Sequence, residues 1–344
     1  MGIATHLYNE DGRAWDAFVA SHPGSANYHR YGWRKVVEKS FAHRAMYLAA
    51  INGQNEICGV LPFIQMKSRL FGSFLVSLPF FNYGGLLVSD SRAVEKLLSA
   101  SQQMLSGAGA DHAEFRHCIK CADIEATKQH KVTMLLDLKA SEEEQWSGLD
   151  PKVRNQIRKA EKCGLQAVVG GIELLDRFYE VFCRNMRDLG TPVYGRNFFH
   201  NVLEEFPDST RIISVTYNGQ TVASALLTWF KETLEVPWAS SNRDFRALCP
   251  NNLLYWEAIR FAISINARIF DFGRSTPDEG TYKFKKQWGA RAVPLYWQYQ
   301  LRSGSKLPEV NAKNPKYRFA IKVWQQMPLM VTNFLGPHIV RCIP

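Results

Sequence analysis

The chain has 344 residues, of which 46% are hydrophobic and 12% aromatic, and carries a formal net charge of +10 at pH 7. At roughly 100 to 200 residues per domain the length predicts two domains, and the apolar content excludes a disordered or low-complexity chain. Residues 1–15 carry polar and charged groups where a signal peptide needs an apolar core, no run of ~18 apolar residues follows, and the seven cysteines are scattered. Secretion, membrane crossing and a disulfide framework are therefore not expected, and a cytoplasmic protein is. The positive charge favours an anionic partner, whether tRNA, an anionic membrane face or a phosphate-bearing substrate.

The first clear element is a hairpin. Tyr47 to Phe63 reads YLAAINGQNEICGVLPF, two apolar β-rich runs joined at Asn52-Gly53, a pair that accepts positive φ and so favours a tight turn. Next comes Leu78 to Gly85, LPFFNYGG, where the glycines permit close approach of a ligand and Asn82 and Tyr83 offer polar contacts. These two residues are candidate acceptor contacts, with an ordinary aromatic turn as the competing reading. Val94, Leu97, Leu98, Ser101 and Leu105 then mark one helical face, and His112 to Phe115 a strand with Glu114 near its end. Cys118 and Cys121 stand beside His112 and His117, but no second pair at ligand spacing follows, so no metal site is expected.

Asp150-Pro151 supplies an N-cap and a proline at the first helical position, predicting a helix that ends near Gly164. On it Arg154, Arg158 and Lys162 recur every fourth residue and form a basic stripe, while Val153, Ile157 and Ala160 face the protein. The stripe suits phosphate binding or is a solvated helix face. A second helix from Leu174 to Leu189 should stop before Gly190-Thr-Pro192.

The hairpin then recurs. Ile212 to Phe230 reads IISVTYNGQTVASALLTWF, turning at Asn218-Gly219. As in the first half, another apolar strand, a helical face (Leu254, Ala258, Phe261, Ala262, Ile265) and a terminal strand (Ile269 to Phe272) follow, placing Asp271 where Glu114 stood. The repeated order predicts a duplicated α/β module built on mixed sheets. Between the third strand and the helix, Ser240 to Asn252 contains no glycine, so the amide cradle that binds the pyrophosphate of coenzyme A in an acetyltransferase is not evident. Arg243 and Arg246 there can hold an anion, and Asn251 and Asn252 are expected to cap the helix.

The densest chemistry follows the last strand of the repeat. Asp271-Phe-Gly-Arg274 and then Tyr282-Lys283-Phe284-Lys285-Lys286-Gln-Trp288-Gly289 put a carboxylate, a guanidinium and several ammonium groups around one turn. Such a cluster can hold a phosphate and stabilise an oxyanion, the competing reading being a structural ion pair beside solvated lysines. After Leu301 the core pattern fades into Ser303-Gly304-Ser305 and a basic, aromatic tail in which Lys316, Arg318, Lys322 and Arg341 alternate with Tyr317, Phe319, Trp324 and Phe334. The tail either packs on the second domain or meets an anionic membrane surface. Expected boundaries are 1–140, 141–300 and 301–344.

LDPKVRNQIRKAEKCGL (149–165), RDLGTPVYGRNFF (187–199) and FDFGRSTPDEGTYKFKKQWGA (270–290) resemble, in order, the FemAB and acetyltransferase-6 branch of the GNAT-like superfamily. Nearly the whole chain, tail included, is similar to FemAB-like proteins associated with the exosortase and PEP-CTERM system. The resemblance implies two tandem GNAT-like acyltransferase modules and transfer of an acyl or aminoacyl group to an amine, with no tightly bound cofactor. It leaves aminoacyl-tRNA, acyl-CoA and acyl carrier protein open as donors. It places Lys285 at the donor site, for donor or oxyanion contact; the residues around it suit Arg274 and Lys283 to anion binding, Tyr282 to shaping the site, and Asp271 to orienting the amine, accepting its proton or merely fixing Arg274. An inactive RNA-binding or membrane-surface adaptor of the same fold is the rival.

Overall fold

A computed structural model describes residues 2–68, 72–307 and 315–343, with backbone alone for 315–318. In chain order the elements are β1 (Ala4–Leu7), α1 (Arg13–Ser21), α2 (Gly32–Phe41), β2 (Arg44–Ile51), β3 (Ile57–Ser68), β4 (Gly72–Ser77), β5 (Leu87–Val88), α3 (Arg92–Gly107), β6 (His112–His117) and β7 (Thr127–Asp137). There follow α4 (Glu142–Ser147), α5 (Pro151–Lys162), β8 (Gln166–Gly170), α6 (Leu175–Leu189), α7 (Arg196–Glu205), β9 (Thr210–Tyr217), β10 (Gln220–Phe230), β11 (Thr233–Ser241), α8 (Pro250–Ser264), β12 (Ile269–Ser275), α9 (Gly280–Lys286), β13 (Arg291–Leu301), α10 (Pro315–Gln326) and α11 (Leu329–Val340). Two compact units result, Met1–Lys131 with Pro294–Val310 and Arg341–Pro344, and Val132–Val293 with Asn311–Val340.

The two units carry the same ladder. In the first, β1, β2, β3 and β4 pair antiparallel in succession, β4 runs parallel to β6, and β6 is antiparallel to residues 296–301 of β13. In the second, β8, β9, β10 and β11 pair antiparallel, β11 runs parallel to β12, and β12 is antiparallel to residues 132–137 of β7. The strand that follows β6 in the chain therefore completes the second unit, and the strand that follows β12 completes the first. The hairpins β2–β3 and β9–β10 sit at equivalent places in these ladders, as the repeated sequence order requires.

Helical faces follow the periodicity. Ala93, Leu97, Leu98 and Leu105 of α3 are buried in the first core, and Leu254, Ala258, Ile259 and Ala262 of α8 in the second, each apolar stripe covering one face of a sheet. Val153, Ile157 and Ala160 of α5 join the second core, while the Asp150 side chain accepts from the Lys152 amide at 2.7 Å and caps the helix. Gly190 ends α6 in the left-handed region at φ 75°.

Two local expectations change. In the first hairpin Gly53 is not the residue with positive φ. Asn52 Oδ1 instead accepts from the amides of Gln54 and Glu56 at 2.9 and 3.0 Å, and Asn55 takes φ 65°, so the side chain closes a longer loop. The second hairpin is the tight turn predicted, with Asn218 at φ 49° and Gly219 at φ 77°. Nor do Asn251 and Asn252 cap α8: the N-cap is Cys249, itself left-handed at φ 59°, and Asn252 is buried and donates to Gln156 Oε1 at 3.0 Å. Pro250 at the first helical position has no N–H to cap, which shifts the helix start before the asparagines.

Candidate active site

The site starts where a sheet opens. β11 and β12 pair in parallel from Thr233–Ile269 to Glu235–Asp271, and among the described residues their register goes no further, although β11 continues to Ser241 and β12 to Ser275. Past this fork the two strands lie unpaired with each other. Glu235 and Asp271, the last register partners, are both buried. Asp271 Oδ1 accepts from Thr133 Oγ1 at 2.6 Å and from the Gly273 amide at 2.7 Å, which gives the carboxylate the donors that burial demands.

α9 brings Lys285 to this fork. Phe284 and Trp288 are one turn apart and turn inward onto Tyr255 and Phe272, with centroids of Tyr255 and Phe284 5.4 Å apart and those of Tyr255 and Phe272 5.3 Å apart. Lys285, between them, is carried inward too. Its side chain is only 7% exposed, and Nζ donates to the carbonyl oxygens of Gly273 at 3.0 Å and Arg274 at 3.1 Å. Burial lowers its pKa from 10.5 to about 8; the Asp271 and Glu235 charges act the other way, and Arg274 adds to the lowering. Lys285 is thus not one of the solvated lysines of the competing reading but a buried helical residue, because the aromatic side chains of Phe284 and Trp288 on either side of it face the core.

The other candidates divide. Arg274 is exposed, with its carbonyl rather than its guanidinium turned to Lys285; Tyr282 is half-buried against the second core and Lys283 is exposed. Arg243 opens a short 3-10 turn and donates to the Asp188 carbonyl at 2.9 Å. Arg158 lies over the Trp146 ring at 5.3 Å in a groove also lined by Glu142, Glu143 and Glu161, an acidic setting ill suited to phosphate. Arg154 is half-buried, and its Nε has no partner among the described residues. Asn82 and Tyr83 belong to the first unit, where Tyr83 is buried with its ring 5.5 Å from Tyr28.

Sequence reasoning missed Glu235, Thr133 and Ser275. Glu235 had a signal, a lone acid in the apolar run Leu234-Glu-Val236, whereas Thr133 reaches Asp271 only through strand pairing between distant segments. Ser275 Oγ and Trp288 Nε1 are buried without a partner among the described residues. Both lie in the stretch that holds Lys285.

Residues 151–286, within the second unit, match the Acetyltransferase (GNAT) domain family. A segment of 94 residues, 25% of the chain, is 29% identical to the lipid II:glycine glycyltransferase of Staphylococcus haemolyticus (strain JCSC1435), and spans 22% of that relative's length. Among solved structures, FemX superposes with a TM-score of 0.68 at 15% identity, over 87% of this chain and 97% of its own. A tandem GNAT protein from the clavulanic acid biosynthesis pathway superposes with a TM-score of 0.56 at 10% identity, over 89% and 99%. The fold is therefore that of two tandem GNAT modules.

Proposed function

We propose that the second unit transfers an acyl or aminoacyl group from an activated donor to an amine, with Lys285 as the cation at the reacting carbonyl. The observation that carries this reading is the buried ammonium at the β11–β12 fork. At pH 7 a group with a pKa of about 8 is mostly protonated, and two of its three N–H bonds are held by the Gly273 and Arg274 carbonyls. The third remains to meet negative charge that develops on a carbonyl oxygen as an amine attacks. In so dry a site one fixed donor is worth about 10²- to 10³-fold in rate.

Asp271 is fully buried, with one oxygen bonded to Thr133 and Gly273, so its part is to stabilise the charged lysine rather than to touch the amine. Arg274 and Lys283, both exposed beside the fork, suit the anionic portion of the donor. Ser275 Oγ and Trp288 Nε1 are left to bond a ligand's polar groups. The named activity of the glycyltransferase relative favours aminoacyl transfer, and the resemblance to exosortase-associated FemAB proteins favours a cell-envelope or exopolysaccharide precursor as acceptor. Aminoacyl-tRNA, acyl-CoA and acyl carrier protein are the donors to compare, all of them cytoplasmic.

Purified protein incubated with each donor and a panel of amino-sugar and peptide amines should give a covalent product by mass spectrometry. Lys285→Met should lower turnover by about 10²-fold or more, and turnover by the wild type should fall as pH rises through about 8, where the lysine loses its proton. Product formed equally by folded Lys285→Met would remove the lysine from the mechanism, and absence of product with every donor would favour a non-catalytic adaptor.

A further inference from the structure

α11 places its apolar residues the opposite way round from an ordinary surface helix. In α11 the residues turned to the protein are small: Thr332, Gly336 and Val340, spaced four apart, are buried. A Cβ on Gly336 would stand 2.8 Å from the Val193 amide nitrogen and 3.1 Å from its carbonyl oxygen, so the helix backbone lies almost against the connection between α6 and α7. Large residues point away. Met330 is 83% and Phe334 71% exposed, one turn apart, and Val331, Leu335 and Ile339 are exposed beside them. On α10, Trp324 is buried, Ile321 lies against Gly190 and Gln325 donates to the Asp188 carbonyl at 3.1 Å, while Phe319 is 71% exposed and Val323 is exposed too.

A helix that met water would bury Phe and Leu and expose Thr and Gly. A contiguous exposed face of this kind marks a surface that is covered by something apolar. Charge decides by what. Residues 311–344 contain five Lys and Arg (Lys313, Lys316, Arg318, Lys322, Arg341) and no Asp or Glu, and Lys322 is exposed on α10. A second copy of the chain would bring the same positive charge against itself, whereas an anionic lipid surface complements it. No helix of the described residues is long and apolar enough to cross a bilayer, and α11, at 12 residues, spans ~18 Å, which fits a helix lying in the interface.

We propose that the outer face of α10 and α11 docks on an anionic membrane surface, with Met330, Phe334 and Phe319 entering the headgroup region and Lys322 meeting the lipid phosphates. The tail thus does both things the sequence left open: its inner face packs on the second unit and its outer face meets lipid. Lys316 and Arg318, named in the sequence reading, lie outside the described side chains. Because the inner face covers Gly190 and Val193, with Ile321 packed on Gly190, truncating the tail would also uncover the core, and point substitutions are the sounder probe.

The experiment is co-sedimentation of the full chain with vesicles of phosphatidylglycerol and phosphatidylethanolamine, beside vesicles of phosphatidylcholine alone, with light scattering on the vesicle-free protein. The wild type should sediment with the anionic vesicles only, and less so as salt is raised. Met330→Gln with Phe334→Ser should bind at least tenfold more weakly. Should that pair fail to fold, Phe319→Ser and Lys322→Glu, both on exposed positions of α10, should each weaken binding on their own. No sedimentation of the wild type with anionic vesicles, or equal binding by the folded variants, overturns the proposal. So does a wild-type dimer that the same substitutions convert to a monomer, since a second copy would then be the occupant. None of these readouts depends on acyl transfer.

Discussion

The two units share a ladder and differ at its fork, and the difference shows how the same strand order can close over an ion pair in one copy and enclose an ammonium in the other. In each, a carboxylate stands at the last paired position of the parallel strands: Glu114 opposite Val76 in the first, Asp271 opposite Glu235 in the second. In the first unit Arg116, two residues on, donates to Glu114 at 2.7 Å and to the Phe81 carbonyl at 2.7 Å. The Tyr299 hydroxyl also donates to Glu114, at 2.9 Å, and Trp297 covers the guanidinium at 4.4 Å. The fork is filled by its own side chains. In the second unit Gly273 stands two residues on and reaches the carboxylate through its amide, beside the Thr133 hydroxyl. With no side chain there, the place is left to Lys285 from α9, a helix for which the segment between β6 and β7 has no counterpart. One fork is closed by an ion pair, the other holds a buried ammonium between two backbone carbonyls.

Four substitutions test how the two units differ, from the largest effect to the smallest. Arg116→Met should cost about 3 to 5 kcal/mol in chemical denaturation, because it leaves the buried Glu114 without its guanidinium, and the rate of acyl transfer per folded molecule should be untouched. A loss under ~1 kcal/mol would mean that the first fork is not held by its ion pair.

Lys285→Met should act in the opposite direction. Lowering the lysine from 10.5 to about 8 corresponds to about 3 kcal/mol of stability lost while the amine is charged. The folded value lies below the unfolded one, so the unfolded chain binds more protons between about pH 8 and 10.5, and wild-type stability rises with pH through that window. The variant should therefore be about 1 to 3 kcal/mol more stable than the wild type at pH 7, after allowance for the two carbonyls that lose a donor, and should lose that advantage above pH 10. A difference that does not change with pH would show that the lysine is not buried as a cation.

The smallest effect separates the two hairpins. Gly219→Ala should cost about 1 kcal/mol, since the residue sits at φ 77° with open space around it and only the backbone objects. Gly53→Ala, outside the left-handed region, should cost less than ~0.5 kcal/mol. Equal losses would make the two turns alike and undo the distinction between a glycine turn and an asparagine-closed loop.

Much of this architecture is written locally. The period of apolar residues sets α3, α5 and α8, Asp150-Pro151 sets a helix start, Gly190 a helix end, and the repeated order of strands around two Asn-Gly pairs reveals the duplication, because spacing and caps act within a turn or two of chain. The sequence also pointed to Lys285 and Asp271 as chemistry. What it could not determine was their environment. That Lys285 is buried follows from which face of α9 meets Tyr255 and Phe272; that Asp271 is bonded follows from Thr133, 138 residues away. Glu235 becomes a neighbour of Asp271 only through strand register, and Arg158 leaves the phosphate-binding stripe only because Trp146 and three glutamates gather around it. In the tail, composition gave the charge and the aromatic content, but which face is dry was decided by Gly336 against Val193. Charge state and exposure depend on what a side chain is packed against, and packing partners come from contacts far apart in the chain that no local pattern of residues records.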